Sequence, residues 1–422
     1  MKRLFFLSMF FALIAGVALA ADISVDVIGK FVPLAGDSRE DSEVKTGGGM
    51  GRIRIGAEAQ NEEGNVGGWI RFDAGADYPG YYGLGLADTY GENISPSGFV
   101  WWKPIEQVKI QFGSNPDGHF EDRGSGLIGW GFYQVAGDVR VAMEDWAYGS
   151  FFGGTGAPGA YISITPIEGL GINLHVPFKP GDAKNVYKHI IAQIGYNING
   201  VGKIGFTFQG NDGEKFNKTT KKWIEGTEYV TGIDGDGSKL FVTFSLTSVE
   251  NLVVDFGLSY TLASAMANTT YNAPVAAGLA ASYSADAFGI KARVQGEFGG
   301  KVTFDAAGAK DYNVPAVIMA DILPSYAATD KLSISLDAGL KITSALDDDS
   351  TAYALSLAGT NALALSDETI VGWHVMPYVG IKAHSWAPSV YIGFRLESSG
   401  IKGADNKAIT TWSVPIGMAF SF

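Results

Sequence analysis

Apolar and polar residues alternate along most of this chain with a period of two. In Ile290–Phe298, Ile290, Ala292, Val294 and Phe298 fall on one side, while Lys291, Arg293, Gln295 and Glu297 fall on the other. Leu332–Ile342 repeats the pattern and sets Asp337 and Lys341 among its polar or small positions. In Val390–Glu397, Tyr391, Arg395 and Glu397 alternate with Val390, Ile392, Phe394 and Leu396. Near the start, Arg52, Arg54 and Glu58 alternate with Ile53, Ile55 and Ala57, and Arg71 and Asp73 with Ile70, Phe72 and Ala74. A period of two is the repeat of a strand, whose successive side chains point to opposite faces.

These strands come in pairs. Short Pro-, Gly-, Asn-, Asp- or Ser-bearing turns join the members of a pair, as in 101–113, 161–176, 194–208, 244–260, 282–294, 325–336 and 381–394. Longer polar connections separate the pairs, roughly at 35–48, 78–96, 115–157, 178–186, 211–238, 263–273, 300–312, 344–366 and 399–408. Alternating short and long connections mark an antiparallel membrane barrel. The pattern predicts an all-β, transmembrane, antiparallel up-and-down β-barrel of about 18 strands, within a range of about 16 to 20. The first strand falls near Ile23–Leu34 and the last at Thr411–Phe422. An even count returns both chain ends to one side of the membrane. The last strand, at about 3.3 Å per residue and a tilt of about 40°, rises about 30 Å, which spans a bilayer core.

Composition agrees. No run of about 18 apolar residues follows residue 20, so no transmembrane helix is predicted. Glycine is abundant, at 57 residues, and 12% of residues are aromatic, which suits strands and turns. With no cysteine, no disulfide framework is available. At the N-terminus, Lys2 and Arg3 precede an apolar stretch from Leu4 to Ala20 that ends in Ala18-Leu19-Ala20. This reads as a cleaved secretory signal peptide over 1–20, leaving a barrel domain over 21–422. Without Lys2 and Arg3 the chain carries 29 basic against 44 acidic residues, a net −15, which argues against a nucleic-acid partner.

Alternation alone does not say which face meets lipid. Charge is kept off the apolar face, where an Arg at mid-bilayer would cost about 2–4 kcal/mol. Aromatics at expected strand ends (Tyr81, Tyr82, Trp101, Trp102, Tyr378, Trp412 and Phe422) suit interfacial girdles. A closed barrel also removes every sheet edge. The polar face then lines the lumen, and the expected pore-lining residues are Arg52, Arg54, Glu58, Arg71, Asp73, Lys109, Gln111, Lys291, Arg293, Glu297, Asp337, Lys341, Arg395 and Glu397. Replacing Arg52 or Arg293 by Ala is expected to change conductance without unfolding the chain.

The C-terminal WSVPIGMAFSF resembles the last strand of Gram-negative-type outer-membrane proteins. Trp412, Val414, Ile416, Met418, Phe420 and Phe422 form its apolar face and end it on an aromatic; Pro415 departs from the pattern and points to a bulge or strand edge. The resemblance implies a strand that closes the barrel and is read by the outer-membrane assembly machinery. By size and strand number the chain resembles porins, and in hairpin style the porin-like outer-membrane proteins of spirochaetes. That likeness implies an outer-membrane, water-filled channel for passive diffusion of small hydrophilic solutes, surrounded by lipid and assembled as a homotrimer. It also implies that 115–157, the third outside connection, folds inward as a constriction. Glu121, Asp122, Arg123, Asp138, Arg140, Glu144 and Asp145 would then form its eyelet, although the Pro-Glu-Phe-Gly-Gly-Asp sequence usual in such loops is missing.

Two other readings are a fatty-acid-type transporter of hydrophobic substrates and a surface adhesin built on a barrel. The first normally carries an N-terminal plug with an Asn-Pro-Ala pattern, which this chain lacks. The second would use long connections such as 115–157 and 211–238. No enzyme, cofactor or metal is expected. The five histidines, His119, His175, His189, His374 and His384, form no Ser–His–acid set by spacing. Asp234–Ser238 lacks the final Glu of a calcium loop, and Asp347–Asp349 reads as a solvated loop tip.

Overall fold

The computed structural model describes residues 21–38, 43–44, 49–77, 93–113, 158–178, 190–210, 214–217, 222–225, 238–262, 264–266, 269–272, 275–304, 310–313, 316–346, 368–382, 388–402 and 407–421. Eighteen strands build one sheet: β1 Ala21–Asp37, β2 Gly49–Gln60, β3 Val66–Asp77, β4 Asn93–Ile105, β5 Val108–Gly113, β6 Gly159–Ile167, β7 Leu170–Pro177, β8 Ile191–Ile198 and β9 Gly202–Gln209, then β10 Lys239–Leu246, β11 Leu252–Thr261, β12 Val275–Ala285, β13 Phe288–Phe298, β14 Val317–Ala327, β15 Leu332–Thr343, β16 Ile370–Ile381, β17 Ser389–Gly393 with Arg395–Lys402, and β18 Ala408–Ser421. Every strand pairs antiparallel with its chain neighbours, and β1 pairs with β18, so the sheet closes on itself. The barrel is the one read from the alternation, with the expected strand number.

Short turns join β2 to β3, β4 to β5 and so on to β16 and β17, and the start of β1 and the end of β18 lie at this rim: Ala21 is opposite Ala59, and Asp26 is opposite Ser421. Asp286, at φ 49°, opens one of the three two-residue turns, between Ala285 and Phe288. The opposite rim carries the long connections. Several hold short strands where polar loops were expected. Glu214–Asn217 pairs with Lys222–Glu225, setting Phe216 opposite Trp223. Ser264–Met266, Thr269–Asn272, Lys301–Phe304 and Lys310–Asn313 form a separate four-stranded sheet. Period-two pairs such as Phe216 with Trp223 can extend a hairpin even where the surrounding sequence is polar.

The closing seam explains Pro415. Without an N–H it cannot complete the ladder. On one side, β1 places two residues, Val32 and Pro33, in the interval that Pro415 alone occupies: Phe31 faces Ile416 and Leu34 faces Val414. This is a β-bulge, and it moves the inward phase of β1 from even to odd positions. On the other side β17 keeps one register through Phe394, since Ile392 faces Ile416 and Arg395 faces Ser413. The expected bulge therefore forms in the partner of the proline.

Burial runs opposite to that of a water-soluble protein. Ile53, Ile55, Phe206, Phe256, Leu279 and Val294 are exposed, Val294 to 52%, while Arg293, Gln295, Asp337 and Arg395 are at most 2% exposed. A continuous apolar exterior needs a hydrocarbon surround, and a closed barrel supplies the internal backbone pairing that hydrocarbon demands. On β18, Val414, Ile416, Met418, Phe420 and Trp412 share the outward face, whereas Ser413, Pro415 and Gly417 are buried. Phe422 lies outside the described residues.

Candidate lumen wall

Strand phase places the charged residues before any side-chain contact is considered. On β13 the outward side chains are Val294 and Phe298, so Arg293 and Gln295 face in. On β14 and β15 the same logic turns Asp321, Asp337 and Lys341 inward, and on β16 and β17 it turns His374, Arg395 and Glu397 inward. Asp321 is the direct cross-strand partner of Arg293. Arg293 Nε donates to Asp321 Oδ2 at 3.1 Å and Nη2 donates to the same oxygen. His374 Nε2 lies 3.0 Å from Asp337 Oδ1. Arg395 Nε donates to Glu397 Oε2 at 2.9 Å, and Thr411 Oγ1 donates to Glu397 Oε1 at 3.3 Å.

One position lets these pairs merge. Gly339 stands between Asp321 and His374 in register. A Cβ there would overlap both the His374 ring and Asp321 Oδ1. The missing side chain brings the histidine and the carboxylate together over the backbone. A polar network therefore runs along β13–β17, in which opposite charges lie in contact and side chains are held against the wall.

The β3–β7 sector is built differently. Trp69 stacks on Phe99 at 5.5 Å between ring centroids, with the Arg71 guanidinium 5.3 Å from the Trp69 ring. Trp101 is buried, with Lys103 Nζ at 5.3 Å and Lys109 Nζ at 4.9 Å from its ring. Two ammonium groups on one indole are cation–π contacts that fix otherwise flexible side chains. Gly67 allows this, since its Cβ would fall inside the Trp101 ring. At the same level Gln111 is buried between Trp101 and Tyr161, and Tyr161 stacks on His175 at 4.0 Å with nearly parallel rings.

Trp101 and Tyr378 were expected in the lipid-interface girdle and are instead buried on the inward side. A period of two must split the Trp101-Trp102 pair, and Trp102 takes the exposed position. Tyr378 packs edge-on to Tyr391 across β16 and β17.

The expected wall residues divide by surroundings. Arg54 and Arg71 are half-buried and inward, and Lys109 and Gln111 belong to the Trp101 group. Glu58 and Lys291 are exposed, near the short-turn rim. Arg293, Asp337, Lys341 and Arg395 are buried, and Glu397 is half-buried. Arg52, Asp73 and Glu297 occupy positions in register with this face, opposite Gly75, Arg54 and Ala276 respectively, but their side chains are outside the described set. Glu121, Asp122, Arg123, Asp138, Arg140, Glu144 and Asp145 also lie outside the described residues.

Selection by charge misses the β6–β9 wall. Across β6–β9 the inward positions are Tyr161, Ser163, Asn173, His175, Ile191, Gln193, Asn197, Thr207 and Gln209, with glycines between, and Lys203 is the one Lys, Arg, Asp or Glu among the inward positions of these strands. Asn173 Nδ2 donates to Gln193 Oε1 at 3.3 Å, and Gln193 Nε2 donates to Thr207 Oγ1 at 3.2 Å. The alternation of Gly171-Ile-Asn-Leu-His175 and of Ile191-Ala-Gln-Ile-Gly195 carries this signal without any charge. Below the amides, toward the short turns, lies a cavity of about 420 Å³.

No family model matches the chain, and no curated protein matches it in sequence. Solved structures do share its fold. Pseudomonas aeruginosa OpdQ superposes with a TM-score of 0.50 at 8% identity, over 95% of this chain and 98% of that one. The outer membrane protein OpdK of P. aeruginosa gives 0.49 at 9% identity, over 95% and 99%. Pseudomonas putida OprB gives 0.46 at 11% identity, over 97% and 96%. At these identities the likeness is one of fold. The shared fold is a closed antiparallel β-barrel.

Proposed function

We propose that this protein is a bacterial outer-membrane porin, a water-filled channel through which small hydrophilic solutes diffuse passively. One observation carries the reading: polarity is inverted around a closed 18-strand barrel, with large apolar side chains exposed outside and charged and amide side chains turned inside. A barrel of 16–18 strands is wide enough to leave an aqueous lumen. Cleavage after Ala20, recognition of the β18 strand by the assembly machinery and a homotrimeric state complete the proposal. So does an inward-folded 115–157 connection bearing the eyelet charges.

The wall charges would set ion preference through the field they leave uncompensated. Lys109, Glu58 and Lys291 are the better probes, because they lie outside the ion pairs at Arg293 and Arg395 and the His374–Asp337 contact. Planar-bilayer recording in a salt gradient tests this. Lys109→Gln is expected to move the reversal potential toward cation preference, and Glu58→Gln toward anion preference. An open channel whose reversal potential ignores all three positions would contradict the assignment of this wall to the pore.

A further inference from the structure

The cavity on the β6–β9 sector has a built lining. Asn173 and Gln193 form its upper edge, Gly171 and Gly195 its wall, and Asn197 and Lys203 its lower edge. A Cβ at Gly171 would meet nothing within 4 Å, so the backbone there is open to the cavity. The amides are already ordered: Asn173 donates to Gln193, and Gln193 donates to Thr207. This chain uses one N–H of each amide and the oxygen of Gln193. A primary amide carries two N–H donors and a carbonyl acceptor, so these two bonds leave the Asn173 oxygen and one N–H of each amide to hydrogen-bond elsewhere.

We infer that this cavity is a solute-binding subsite for a neutral, polyhydroxylated molecule of the size of a mono- or disaccharide. The inference rests on the channel reading for the route by which such a solute arrives. Each unspent amide offers a donor or an acceptor, and each hydroxyl of a polyol is both, so adjacent hydroxyls can pair with Asn173, Gln193 and Asn197. A site prepared for hydroxyl groups discriminates against molecules that lack them, because its polar groups are then left unpaired. The volume lies in the ordinary range for small-molecule sites. Lys203, at the lower edge, and Glu106 and Glu168, on the short turns, bring both signs of charge to the rim, so a zwitterion such as a dipeptide is the competing ligand.

Saturation-transfer NMR on the detergent-folded full mature chain tests the inference, with sucrose, a neutral dipeptide and succinate as separate probes. Sucrose is expected to show saturable transfer. Gln193→Ala and the exposed Asn197→Ala are each expected to weaken it by about tenfold, the scale of a lost hydrogen bond or two. Heat-modifiable migration reports that each variant is folded, and Asn197→Ala, at an exposed position, keeps the test intact if Gln193→Ala is not. No sucrose signal, an unweakened signal in the folded variants, or preference for the dipeptide or succinate overturns the inference. Conductance of the same preparation separates the two claims. An open pore without sucrose binding refutes the subsite alone. Variant-sensitive sucrose binding in a barrel that does not conduct supports the subsite and refutes the channel.

Discussion

Arg293 and Asp321 show what the inward charges of β13–β17 do. Both are buried, in direct contact, and seated on adjacent strands at the same level. Removing one partner strands the other, a loss of about 3–5 kcal/mol for a buried pair. Asp321→Ala is therefore expected to lower unfolding free energy in urea by that amount, and Arg293→Ala likewise, rather than change conductance alone. An Asp321→Ala barrel as stable as the parent would show that the pair is incidental. The charge of Arg293 was legible from alternation, but its partner was not. Asp321 sits in Val317–Ala327, and only the register that sets it opposite Arg293 turns two inward charges into a pair. Amides were overlooked for a related reason. Asn173, Gln193 and Thr207 carry no charge to draw attention, yet phase alone puts them on the inward face.

At the scale of the strand, face is the governing variable. Val294 lies mid-strand on β13 and is exposed outward, while its neighbour Lys291 is inward and exposed near the rim. Val294→Arg is expected to cost about 2–4 kcal/mol of stability in lipid, as an arginine at the midplane of a barrel exterior does. Lys291→Gln should stay within about 0.5 kcal/mol, as surface changes usually do. Equal effects from the two substitutions would mean that the faces are misassigned. The bulge in β1 gives a sharper case. Deleting Pro33 removes the extra residue and leaves Val32 alone opposite Pro415, so Phe31 and Leu34 both keep the outward face and the strand runs in regular alternation. The deletion is expected to keep the heat-modifiable, folded form on gels, and loss of that form would contradict the bulge. Pro415 announced this irregularity in the sequence, but which strand would absorb it depended on pairing. The Trp101-Trp102 doublet is a similar limit. Two adjacent aromatics cannot share a face, and composition does not say which one faces in.

For the molecule as a whole, alternation and connection length were enough to reach a closed barrel of 18 strands, because both are local properties repeated along the chain. The lining of the lumen is a property of the closed object. It has a charged sector on β13–β17, where opposite charges are in contact, and a sector on β6–β9 whose inward groups are mostly amides, hydroxyls and glycines. An aromatic and cationic stretch at Trp69, Trp101 and Lys109 lies between the first sector and the second, across the closing seam. Net charge, summed over the whole chain, says little about such a wall. A dipolar, paired sector contributes a short-ranged field, whereas the neutral sector offers hydrogen bonds at little electrostatic cost.

The central claim is that this barrel encloses an open aqueous path, and single-channel recording of the refolded chain over residues 21–422 in a planar bilayer tests it most directly. The account predicts stable, reproducible conductance steps on the nanosiemens scale. A folded, heat-modifiable barrel that inserts into the bilayer and passes no current would contradict it.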